Sequence, residues 1–128
     1  PLMAEIAARL VRSGDAARLA DAQRSEAIMR QGIARQRLAD FEVATHPSSF
    51  HLWLTLPEPW RREEFTVQAR QRGVGVAPAE AFAIGRAPVP HAVRIGLSAA
   101  RDRAQLDRAL EVLADLLREP PDSGFPMV

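Results

Sequence analysis

The chain has 128 residues, 47% of them hydrophobic, and a formal net charge of +1. That is enough for one domain with a modest core, too apolar for a disordered chain, and no electrostatic argument for nucleic-acid or membrane binding. All 17 basic residues are arginine and cysteine is absent, which excludes a lysine Schiff base, disulfides, thiol nucleophiles and zinc–thiolate sites within this chain.

Residues 2–11 read as a helix, with Leu2, Ile6 and Leu10 on one face. The chain starts at Pro1 without an initiator Met, directly before this helix, and is expected to be a fragment of a larger polypeptide. "RSGD" interrupts the pattern: Gly14 suits a helix stop and Asp15 a cap for the next helix. That helix is expected over residues 16–39. Its apolar positions, Leu19, Ala27, Ile28, Ile33 and Leu38, are loosely spaced, and Gly32 weakens its middle. The charged run "EAIMRQGIARQR" within it reads as a solvated face.

"THPSS" is a loop, and "FHLWLTLP" then alternates as a strand. Phe50, Leu52, Leu54 and Leu56 share one face; His51, Trp53 and Thr55 share the other. Pro57 and Pro59 end the strand, and a helix over 60–72 carries Phe65 and Ala69 inward until Gly73 stops it. "VGVAP" is a short strand, "AEAFAIGRAPVP" a loop, and residues 92–97 a third strand. Asp102 and Gln105 form a capping-box pattern for a last helix that places Leu106, Leu110, Leu113 and Leu117 at i, i+4, i+7 and i+11. "EPP" ends it.

The fold class is therefore α/β in the α+β sense: N-terminal helices (1–40) followed by a β-α-β-β-α lobe (50–118), with 119–128 as a loose tail. The right-handed crossover leaves the third strand to pair between the other two. This predicts a three-stranded antiparallel sheet of order 1-3-2, with two helices on the face of Phe50, Leu52, Leu54, Val93, Ile95 and Leu97. The other face carries His51, Trp53, Thr55, Ala92, Arg94, Gly96 and Ser98. Trp53 makes it too apolar for an ordinary wet face, so the long N-terminal helix or a missing domain is expected to cover it.

Arg94 is the one residue whose chemistry stands out. A mid-strand guanidinium can snorkel to solvent or pair with a carboxylate; it can also clamp a ligand carboxylate through two parallel hydrogen bonds, with small neighbours leaving room. His46, His51 and His91 lack ligand spacing, so no metal site is expected. "RGVGVAP" lacks the full phosphate-loop fingerprint and precedes a strand. No helix-turn-helix and no Ser-His-Asp arrangement is visible.

The ordered set of an "hhWh" strand, a helix, a Gly-Val strand, a Pro78-to-Phe82 loop, the "hRhxhS" strand around Arg94 and a Leu-rich helix resembles the C-terminal small domain of class I/II aminotransferases of PLP fold type I. It is similar above all to the aminotransferase-like region of MocR-type regulators of the GntR family. The resemblance runs from about Leu2 to Leu117; Ala79 departs from it, where the family often has glycine. It implies that Arg94 grips the α-carboxylate of an amino-acid-like ligand. It also implies that pyridoxal 5'-phosphate (PLP), its lysine and the other cofactor-binding residues belong to a large domain outside this chain, so that the fragment alone is inert. A parent of this kind is a cytoplasmic homodimer that binds DNA only through an N-terminal winged helix. Two alternatives stand beside it: the small domain of a catalytic aminotransferase, and a ferredoxin-like oligomerisation module.

Overall fold

The fold is taken from a computed structural model that describes residues 14–78 and 91–121. The helix expected over 2–11, the loop with Ala79 and Phe82, and the tail from Asp122 lie outside the described residues. In chain order the elements are α1 (Asp15–Arg37), β1 (Val43–Thr45), β2 (His51–Thr55), α2 (Arg62–Gln71), β3 (Ala77–Pro78), β4 (Ala92–Gly96) and α3 (Arg103–Arg118). No helix among the described residues is long and apolar enough to cross a membrane.

The sheet has four strands in the order β1-β2-β4-β3, every neighbouring pair antiparallel. This corrects the expected count of three: the three expected strands keep their predicted order, as β2-β4-β3, and a fourth is added outside β2. The strand absent from that expectation, β1, pairs Val43 with Leu54 and Thr45 with Leu52 along the outer side of β2. Only three residues long and next to the "THPSS" loop, it carries no alternation for a pattern search to find. Within the sheet, β4 is flanked by β2 and β3, so Arg94 stands on an interior strand.

One face of the sheet makes the core. Leu52 and Leu54 of β2 lie opposite Ile95 and Val93 of β4, and all four are buried. Phe65 and Ala69 of α2, and Leu106, Leu110, Leu113 and Leu117 of α3, close over them as the helical spacing requires. Trp60 meets Phe65 edge to face at 5.4 Å, and its indole Nε1 donates to the Glu119 carbonyl at 3.1 Å, so its buried N–H is satisfied. At the start of α3, Asp102 accepts from the Gln105 backbone N–H at 2.7 Å, while the Gln105 side chain accepts from the Arg101 N–H at 2.7 Å. One first-turn donor and the N–H just before the cap are thereby satisfied. The Gln105 hydrogen bond holds the Asp102 carboxyl below its ordinary range.

Three helices share this face rather than two, because α1 lies along α3 instead of across the open face. Its cap also differs from expectation. Gly14, in the left-handed region at φ 80°, occupies the N-cap, and Asp15 sits in the first turn, ion-paired to Arg18. The residues α1 buries are Ala27, Arg30, Gln31 and Ala34, with Leu38 just past its end. Leu19, Ile28 and Met29 are exposed. The reading of "EAIMRQGIARQR" as a solvated face is thus overturned at Arg30 and Gln31, which are 8% and 3% exposed.

Candidate functional site

Arg94 projects from the centre of β4 onto the sheet face that no described helix covers. Its cross-strand neighbours are Trp53 of β2 on one side and Ala77 of β3 on the other, and both Arg94 and Trp53 are half-buried. Alternation dictates this placement: Val93 and Ile95 must enter the core, so residue 94 must face away from it. Two rungs along, the next on this face, His51 lies opposite Gly96. Together with Gly75, Val76 and Ala77, these residues line an open depression of about 450 Å³. A guanidinium at its edge, an imidazole across from it and a floor of glycine and alanine form a surface suited to a small anion.

Two adjacent side chains of α1 fix the strands that frame this depression. Arg30 Nη1 donates to the Leu97 carbonyl at 2.6 Å and to the Ala100 carbonyl at 2.9 Å, pinning the end of β4 and the turn that leaves it. Gln31 Nε2 donates to Thr45 Oγ1 at 2.9 Å and to the Ser49 carbonyl at 2.7 Å, with a longer 3.4 Å approach to the His51 carbonyl. Thr45 Oγ1 in turn donates to the His51 carbonyl at 2.7 Å, and the His51 N–H donates to Ser49 Oγ at 3.0 Å. The His51–Gly96 rung is therefore held at both strands by neighbouring residues of one helix. Neither Arg30 nor Gln31 stands out in a search for apolar periodicity. The signal that finds them is Ala27, Ala34 and Leu38 at i, i+7 and i+11, a stripe that also contains i+3 and i+4.

Arg30 is itself held by Glu26, whose Oε2 accepts from Nε at 2.8 Å; Glu26 Oε1 accepts from Arg103 Nη2 at 2.8 Å. Two guanidinium partners, Arg103 first and Arg30 second, push the Glu26 carboxyl down to about 2. A second tie joins α1 to α3: Arg37 grips Asp107 through both carboxylate oxygens at 2.7 and 2.8 Å and holds that carboxyl below its ordinary range.

The histidines do not converge. His46 is in the exposed loop beside Ser48, His51 faces the depression, and His91 precedes β4 with its Nε2 buried and unpartnered. Among the described residues no three His, Asp or Glu side chains form a metal-binding group. The residues present do not fit PLP either. The chain has no lysine for the cofactor's aldehyde, and among the described residues Arg94 is the one arginine that lines the depression.

No family model matches the chain. It is 30% identical over 117 residues to the uncharacterised HTH-type transcriptional regulator YdeF of Bacillus subtilis strain 168, covering 91% of this chain and 25% of YdeF. A candidate amino-acid aminotransferase from Psychrobacter arcticum 273-4 has a similar fold over 92% of the chain, with a TM-score of 0.69 and 21% identity, the match covering 30% of that protein. MppP, in a structure soaked with the product 2-ketoarginine, matches over 84% of the chain and 31% of its own length, with a TM-score of 0.66 and 23% identity. An archaeal alanine:glyoxylate aminotransferase matches over 74% of the chain and 23% of its own, at 0.57 and 19%. At these identities the structural likeness establishes the fold. The chain spans a quarter of the length of its curated relative.

Proposed function

We propose, from a chain that resembles an HTH-type regulator in sequence and aminotransferases in fold, that it is the small domain of an aminotransferase-like transcriptional regulator of GntR/MocR type. The small domain occupies 1–118. In this reading Arg94 supplies the carboxylate-binding group of an effector site, and a large domain outside this chain supplies PLP and its lysine. A winged helix elsewhere in the parent contacts DNA, and the parent is a cytoplasmic homodimer. The observation that carries the reading is the pairing of those two likenesses over nearly the same residues. The place of Arg94 on an interior strand, beside a depression floored by small residues, supports its role.

The chemistry assigned to this chain is recognition. A guanidinium rooted on a strand holds a carboxylate in a fixed plane, and the domain that carries it shifts relative to its neighbour when both engage one ligand. Arg94→Ala in the full-length protein is expected to weaken carboxylate-bearing effectors while leaving PLP absorbance nearly unchanged. Because Arg94 is half-exposed, the loss sits near the lower end of about 2–5 kcal/mol. Unchanged effector affinity by calorimetry refutes the assignment.

The aminotransferases among the structural neighbours favour one further reading, the small domain of a working PLP enzyme. There the same arginine orients the substrate's Cα over the cofactor. Steady-state assays of the full-length protein with common amino acids and 2-oxoglutarate decide between the two. Under both, the 128-residue chain with added PLP is expected to show no transamination above a blank.

A further inference from the structure

We infer that Gly96 and His51 select which carboxylate the Arg94 site accepts, and that the class selected is a short dicarboxylate. The inference rests on the carboxylate-binding role proposed for Arg94.

Glycine inside a strand weakens it, and it normally answers a backbone or packing need. Among the described residues, neither need shows at Gly96. Its φ is not positive, and an added Cβ would meet nothing nearer than His51 Cδ2 at 4.0 Å, an ordinary contact. The same holds for Gly75 on the opposite wall, where an added Cβ would meet open space. Two glycines that the fold does not require thus lie along one depression, next to its guanidinium. Their common effect is to leave empty the volume that side chains would fill.

The direction of that volume follows from the register. Arg94 pairs with Trp53, and His51 with Gly96, so His51 is the diagonal cross-strand neighbour of Arg94 across the floor made by Gly96. Diagonal neighbours are close enough for one small molecule to touch both when their side chains are long. A carboxylate on the Arg94 guanidinium therefore directs the rest of its ligand over Gly96 toward the imidazole. The imidazole carries an N–H donor in either tautomer, and a second carboxylate is its natural complement. The backbone of His51 is held by Thr45, Ser49 and Gln31, which fixes the point from which the exposed imidazole reaches over Gly96.

The test is calorimetric titration of the full-length protein with succinate and with butyrate, which have the same carbon count and differ in the second carboxylate. Wild type is expected to prefer succinate by about tenfold, the scale of one charge-assisted hydrogen bond. His51→Ala should abolish the preference while leaving butyrate affinity within about twofold, and His51→Gln, which keeps a donor, should restore part of it. Gly96→Val should weaken both ligands by filling the floor, with a melting temperature no lower than that of wild type as the folding control; Gly96→Ala serves if the valine variant does not fold. An unchanged succinate-to-butyrate ratio in His51→Ala, or no preference in wild type, overturns the inference and spares Arg94's role. Arg94→Ala that leaves both affinities unchanged overturns that role too.

Discussion

Arg30→Ala is the substitution with the largest expected effect on the frame of the site. The Arg30 side chain is 10% exposed, and it makes the described hydrogen bonds to the Leu97 and Ala100 carbonyls. Its removal leaves two largely dry acceptors without their charged donor. Each such bond is worth about 1.5–3 kcal/mol net, but the two share one nitrogen and are not additive, so together they are expected to contribute about 2–3 kcal/mol. Loss of the aliphatic stem's packing adds about 1 kcal/mol in the alanine variant. Glu26 keeps Arg103 and adds little, because that pair is largely solvent-screened. Arg30→Ala should therefore cost about 3–4 kcal/mol, and Arg30→Met, which keeps the stem, about 2–3 kcal/mol. Against a total stability of about 5–15 kcal/mol this is a large fraction, readable as a fall in the urea midpoint followed by circular dichroism. If both variants unfold within about 0.5 kcal/mol of wild type, the clamp is not holding the end of β4 and the reasoning fails.

Three further effects follow from the same structure. Gly32 has helical backbone and open space around its missing Cβ, so Gly32→Ala should stabilise the chain by about 0.5–1 kcal/mol; a lower melting temperature contradicts this. Phe65 is fully buried between α2 and the sheet, and Phe65→Ala should cost about 3–5 kcal/mol in denaturant unfolding. The Glu26 carboxyl is depressed from 4.5 to about 2, so its contribution to stability is fully present above 4.5 and is lost as pH falls toward 2. Glu26→Gln should flatten the acid limb of the stability curve in that window, and 1 M salt should do so partly; an identical limb in the variant excludes the network as its source.

The parts of the fold that were legible in the sequence are those in which one residue type repeats at one period. The α3 leucines, the alternation of β2 and β4, and the inward pair Phe65 and Ala69 all became core. Strand alternation alone also placed Arg94 opposite that core. The misreadings share a cause. β1 is too short to show a period, and the buried stripe of α1 is built from alanine, arginine and glutamine, so its apolar moment nearly vanishes. The carboxylate role of Arg94 comes from the resemblance; the residues by themselves favour an ordinary snorkelling or ion-paired arginine.

By itself, then, the amino-acid order determined which faces are apolar, where the helices of the lobe lie (though α2 starts at Arg62 rather than the expected Trp60), and which way the central arginine points, because these depend on spacing within one element. Only the tertiary structure decided that α1 runs along α3, that Arg30 and Gln31 clamp the two strands, and that His51, Gly96 and Arg94 share one depression. Those facts depend on hydrogen bonds and register between segments 14 to 70 residues apart, and no local period encodes them.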